Sequence, residues 1–153
     1  MRERIILFFA LIIIGLSTNA QVKERFERLS RIDGLSHDNV YSIIQDRYGF
    51  MWFGTQDGLN KFDGYTFQKF YHEASNNNSL ISSNFGKIFE DSKGYLWFGS
   101  YINGLDQYDP IKKKFKHFFY NEKDSTSVSS NRIRCIAESS DGYIWLATSG
   151  GGL

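Results

Sequence analysis

The sequence predicts an all-β chain assembled from copies of one short four-stranded sheet, and three observations predict it. Aromatic residues make up 17% of the 153 positions, with 14 Phe and 9 Tyr, and 14 glycines accompany a single proline. Aromatics suit a pleated, half-buried surface, and glycine supplies the positive-φ turns between strands. The three tryptophans, Trp52, Trp97 and Trp145, recur in matching surroundings at intervals of about 45 residues, a period that marks stacked repeats. Turn signals also fall too often, and glycine is too frequent, for a helical reading.

The first element is a leader. Arg2 and Arg4 precede an apolar run over residues 5–16, and Ser17, Thr18, Asn19 and Ala20 follow. A basic start, a short apolar core and a small-residue end describe a Sec signal peptide over residues 1–20, cleaved between Ala20 and Gln21. The run falls short of the ~20 apolar residues needed to span a bilayer. Residues 21–33 come next. Phe26-Glu27-Arg28-Leu29 resembles two later segments beginning Phe67 and Phe115, so 21–33 is expected to be a lone outer strand.

The repeat itself divides the chain into copies at 34–79, 80–127 and 128–153. Twelve residues before each Trp stand Val40, Phe85 and Ile133, and nine before stand Ile43, Ile88 and Ile136. On an ideal strand, positions three apart point to opposite faces, so the first strand is expected to be covered on both sides. A hairpin follows at Asp46-Arg47-Tyr48-Gly49 and Asp91-Ser92-Lys93-Gly94, with Ser139 replacing the Asp in the third copy. Asp bonds backbone N–H groups there and Gly takes the positive φ. The second strand carries the Trp, and Gly54, Gly99 and Ala147 stand two residues beyond it. Third strands are expected over 59–63 and 105–109, and fourth strands over 67–71 and 115–119.

Four short strands per copy, with a Trp to fill the wedge between sheets, describe β-propeller blades. The indole N–H of each Trp needs a partner in that wedge. Blade 1 is 34–79, blade 2 is 80–127, and 128–153 is part of a third blade. A closed ring takes about 4–8 blades. The chain is therefore expected to be the N-terminal piece of a longer propeller, with 21–33 closing its last blade.

At these residues the sequence resembles the two-component regulator propeller repeat. Leu35-Ser36-His37-Asp38-Asn39-Val40, Gly49-Phe50-Met51-Trp52-Phe53-Gly54-Thr55 and Asp57-Gly58-Leu59-Asn60-Lys61-Phe62-Asp63 carry the resemblance in the first copy. Gly94, Leu96-Trp97-Phe98-Gly99-Ser100 and Gly104-Leu105 carry it in the second, and Asp141-Gly142-Tyr143-Ile144-Trp145-Leu146 with Gly151-Gly152-Leu153 in the third. The third copy departs at Ser139 and Ala147. The resemblance implies a periplasmic sensor of a hybrid histidine kinase, with oligosaccharide as the ligand of the intact sensor and catalysis in a cytoplasmic kinase module downstream in the intact protein. It is compatible with a homodimer of the intact protein.

Residue by residue, the chemistry is sparse. A formal charge of +1 gives no basic groove for nucleic acid. No catalytic, metal-binding or cofactor-binding residue is assigned, no cofactor is implied, and ligand-binding residues stay unassigned. Asp46, Asp63, Asp91 and Asp109 read as turn and strand-end residues. His37, His72 and His117 fall at different repeat positions and read as surface histidines. Cys135 is the sole cysteine and reads as a small buried hydrophobe. Lys112-Lys113-Lys114 reads as a solvated hairpin tip. Asp57-Gly58 and Asn103-Gly104 lack the alternating acids of a calcium loop. The polar loops 73–79 and 121–127 join blades at a rim where ligands commonly dock. Tyr41, Tyr48 and Tyr101 would stack on sugar rings if exposed, against a packing role between blades. Two rival readings are a scaffold for protein partners and an exported glycan lyase or hydrolase.

Overall fold

A computed structural model describes residues 26–153, so the leader expected over 1–20 lies outside the described residues. Ten strands form three antiparallel sheets. The first sheet runs β1 (Val40–Gln45), β2 (Met51–Thr55), β3 (Leu59–Phe62) and β4 (Phe67–Phe70), paired in sequence order. The second repeats this order with β5 (Phe85–Glu90), β6 (Leu96–Ser100), β7 (Leu105–Asp109) and β8 (Lys114–Phe118). The third pairs β9 (Ile133–Glu138) with β10 (Ile144–Thr148). First strands lie against one another, β1 against β5 and β5 against β9, so they form the inner edge. These are propeller blades, and among the described residues they do not close into a ring.

The inner strand departs from the expected alternation. The pairing of β5 with β6 shifts register between Phe85 and Lys87, leaving Gly86 as an extra residue. The same shift falls at Tyr41 in β1 and at Arg134 in β9. A β-bulge of this kind bends the strand and changes which side chains share a face. Phe85 and Ile88 therefore both join the core between blades 1 and 2, and Ile133 and Ile136 both join the core between blades 2 and 3. The opposite-face reading of these two positions is corrected: the bulge puts them on one face, against the preceding blade.

That packing explains the glycine two residues past Trp52 and Trp97. Gly54 and Gly99 have no positive φ, so the requirement is space. A Cβ on Gly99 would stand 2.7 Å from Ile133 Cγ2, and one on Gly54 would stand 3.2 Å from the Phe85 carbonyl oxygen. The wedge is filled as expected by Trp52, which is 1% exposed and lies 5.6 Å from the Phe98 ring of the next blade. Its indole Nε1 donates to Asp46 Oδ2 at 2.8 Å, and Trp97 Nε1 donates to Asp91 Oδ2 at the same distance. The other oxygen of each Asp accepts two backbone N–H groups of its hairpin, from Tyr48 and Phe50 or from Lys93 and Tyr95. One carboxylate thus fixes both the turn and the indole.

Carboxylates also tie blades together at the opposite end from the bulges. Glu90 accepts from the Arg47 backbone N–H at 3.0 Å and from Arg47 Nε at 2.6 Å. Glu138 repeats the tie one blade on, accepting from the Ser92 backbone N–H at 2.7 Å and its hydroxyl at 2.6 Å. Both acids end an inner strand and reach the first hairpin of the preceding blade.

The described part of 21–33 is not paired as a strand. Arg31–Asp33 turns as a 3-10 helix, with Asp33 Oδ2 accepting from the Ser30 N–H and hydroxyl at 2.8 Å each and Gly34 at φ 112 closing it. A strand needs a neighbouring ladder for its backbone groups. Phe26 is 91% exposed and belongs to none of the three sheets.

Candidate functional site

The bulge that sets the inner strand also builds a surface. Tyr41, Gly86 and Arg134 are the bulged residues of blades 1, 2 and 3, so they occupy one repeat position at the same rim. Blade 2 contributes no side chain there. Tyr101, from the turn between β6 and β7, covers that gap instead. A Cβ on Gly86 would stand 2.6 Å from Tyr101 Cζ, so only glycine admits the ring. Tyr41 meets Tyr101 edge-on, with centroids 5.5 Å apart and planes at 89°. The Arg134 guanidinium lies 5.8 Å from the same ring centroid and its Nε donates to Ser149 Oγ at 2.7 Å. A row of Tyr41, Tyr101, Arg134 and Ser149 therefore runs across three blades.

Tyr41 is 41% exposed, Arg134 is exposed and Tyr101 is half-buried. Beside the row, Ile102, Tyr120, Asn131, Arg132 and Ser149 line an open depression of about 510 Å³. Its floor is fixed by backbone bonds from Gly104 N to the Asn131 carbonyl and from Ser149 N to the Arg132 carbonyl, each 2.9 Å. Of the tyrosines singled out in the sequence, Tyr41 and Tyr101 come together here. Tyr48 sits in the first hairpin, at the far end of the strands.

The loop 73–79 has a structural task. Asn78 accepts from the Phe115 N–H at 2.9 Å and donates to the Lys113 carbonyl at 3.1 Å, extending the outer edge of blade 2. Residues 121–127 fold the same way: Asn121 N donates to Ser127 Oγ at 3.0 Å as Glu73 N donates to Ser79 Oγ at 2.9 Å. Lys113 turns the β7–β8 hairpin at φ 54, held by Asp109, whose carboxylate is lowered first by the Lys112 N–H. Asp63 plays the same part and is lowered by the Thr66 and Tyr65 N–H groups.

Two sequence readings are corrected. Cys135 is exposed: it alternates with Ile136 and so faces away from blade 2, at the position where Ser42 of blade 1 accepts the Ile88 N–H of blade 2, and among the described residues no sheet covers it. His117 is not a simple surface histidine. Its Nδ1 lies 2.6 Å from Oδ1 of Asp106, which is fully buried, and its Nε2 lies 3.1 Å from the Asn77 carbonyl. Asp106 Oδ2 accepts the Ile81 N–H at 2.9 Å, the place that Asn60 Oδ1 fills for Ser36 N–H in blade 1. Burial pushes the Asp106 carboxyl up to about 6, against the opposing pull of His117 and the Ile81 N–H. For His117, burial works downward but the Asp106 and Asn77 bonds outweigh it, and its pKa is raised. His72 Nδ1 faces the Leu80 carbonyl at 2.6 Å, and His37 Nδ1 accepts the Asn39 N–H at 2.9 Å. Among the described residues no three metal-ligating side chains gather.

The two component regulator propeller family matches residues 34–57, 79–101 and 127–150. The chain is similar to the extracellular domain of the hybrid two component system BT3049 from B. thetaiotaomicron, at 32% identity and a TM-score of 0.74 over 80% of its length and 17% of that chain. It is also similar to the extracellular domain of BT4673 from the same organism, at 27% identity and a TM-score of 0.61, covering 74% of this chain and 16% of that one. Histidine kinase P4 of Formosa agariphila is 46% identical over 55 residues, which are 36% of this chain and 4% of that protein. The chain thus spans under a fifth of each of these relatives.

Proposed function

This chain belongs to the two component regulator propeller family, and from that premise we propose that it is the sensing part of an exported signalling protein whose ligand is an oligosaccharide. Two structural neighbours are extracellular domains of hybrid two component systems, which supports export and a sensor role. The observation that carries the ligand reading is the rim. Exposed aromatic and polar side chains from three blades converge there on rigid strand ends, where scaffolds place binding groups. Catalysis belongs elsewhere in such a protein. Glycan hydrolysis needs two facing carboxylates, and the row of Tyr41, Tyr101, Arg134 and Ser149 contains none. Calorimetry of the purified protein against a panel of neutral and acidic oligosaccharides tests the reading. Saturable binding of at least one saccharide is expected, and heats of dilution alone across the panel would overturn it.

A further inference from the structure

We propose that Tyr41, Tyr101 and Arg134 form a subsite for a sugar ring bearing an acidic group, a carboxylate or a sulfate. This deepens the oligosaccharide reading and rests on it. Tyr41 is the platform: the residue is 41% exposed, and its ring is set edge-on to Tyr101. An aromatic face held rigid presents apolar area at little entropic cost, which suits the C–H face of a pyranose. Arg134 is the acid's partner. Its Nε is spent on Ser149 Oγ, which fixes the fork, while its two terminal nitrogens make no hydrogen bond among the described residues. No carboxylate pairs with it among the described residues. An exposed guanidinium with a fixed plane and no acid beside it is built to take a bidentate oxyanion.

The surroundings agree in sign. Lys87 on the inner strand of blade 2 and Arg132 at the mouth of the depression are both exposed. Inner-strand acids Glu90 and Glu138 are at the other end of their strands, engaged in the ties between blades. Asp57 belongs to the blade 1 turn, so a ligand would place its acid toward blade 3 and its apolar face on blade 1. Tyr101 is a positioning residue. It touches both neighbours and sits where Gly86 leaves room for it.

The test is calorimetry of the full chain with four probes: an oligogalacturonate, a sulfated tetrasaccharide, cellotetraose and mannotetraose. An acidic probe is expected to bind, with Arg134→Gln weakening it about tenfold or more, as loss of a charge-assisted bond implies. Tyr41→Ala should weaken it by a similar factor. Raising salt should weaken the wild type and leave R134Q almost unmoved. Both side chains are exposed, and near-ultraviolet circular dichroism should show both variants folded as the wild type is. The carboxylate and sulfate probes, compared directly, say which acid is the ligand's. If only neutral probes bind, or an acidic probe binds R134Q and Y41A as well as it binds the wild type, this subsite is wrong while oligosaccharide sensing stands. If no probe binds, the sensing reading fails and the subsite with it.

Discussion

At the scale of single residues, the carboxylate six positions before Trp52 and Trp97 does two tasks with two oxygens. Sequence spacing alone exposes the turn task, because Asp and Gly flank a hairpin; the indole bond needs the third dimension. Trp52→Phe should therefore cost the packing difference plus about 1–3 kcal/mol for leaving buried Asp46 short of a donor. Trp145→Phe should cost far less, since Trp145 is 53% exposed and the third copy has Ser139, which donates to Asp141 at 2.5 Å instead. Urea midpoints of the two variants check the contrast. The Asp106–His117 pair was illegible for a similar reason. The two residues are eleven apart and face each other only because β7 pairs with β8, setting Asp106 opposite His117. Both pKa values are raised on folding, so each group adds stability while protonated and loses it as pH rises through its folded value. The pair's contribution should fall from about pH 4 upward and continue falling past the ordinary histidine range. Asp106→Asn copies what Asn60 does in blade 1, and should flatten that part of the stability–pH profile measured by denaturation.

At the scale of the strand, Gly, Trp and aromatic spacing locate every hairpin because each turn type demands its own residues. The fourth strands expected at 67–71 and 115–119 are β4 and β8 within a residue or so. Face assignment failed at one place, the bulge, where one extra residue reverses the alternation. A pattern of apolar residues three apart, repeated in all three copies, is the signal that could have found it. The bulge also makes the glycine past Trp52 and Trp97 a contact residue. Gly99→Ala should cost about 1–3 kcal/mol by overpacking Ile133, which is fully buried. Gly54→Ala should cost less, because its nearest side-chain neighbour is Ile88 at 3.4 Å. Thermal midpoints of the two alanine variants would rank them.

At the scale of the molecule, blade stacking turns a local irregularity into a surface. The repeat that stacks the sheets also delivers the bulge to the same rim in each blade, and there the copies diverge: Tyr41, Gly86, Arg134. Packing positions repeat because every interface has the same shape to fill, whereas the rim positions are free to differ. That is why the fold was legible in the sequence and the rim row was not. Tyr41 and Tyr101 stand sixty residues apart, and nothing in their spacing brings them together until two blades are laid side by side. In the proposed function this propeller surface holds a saccharide and does not change it. Native mass spectrometry of the protein mixed with the oligosaccharide panel tests that in one experiment. A complex whose added mass is that of one intact oligosaccharide is expected, with the free sugar unaltered after prolonged incubation. Shorter or unsaturated sugars accumulating in proportion to protein would contradict it and make the rim an active site.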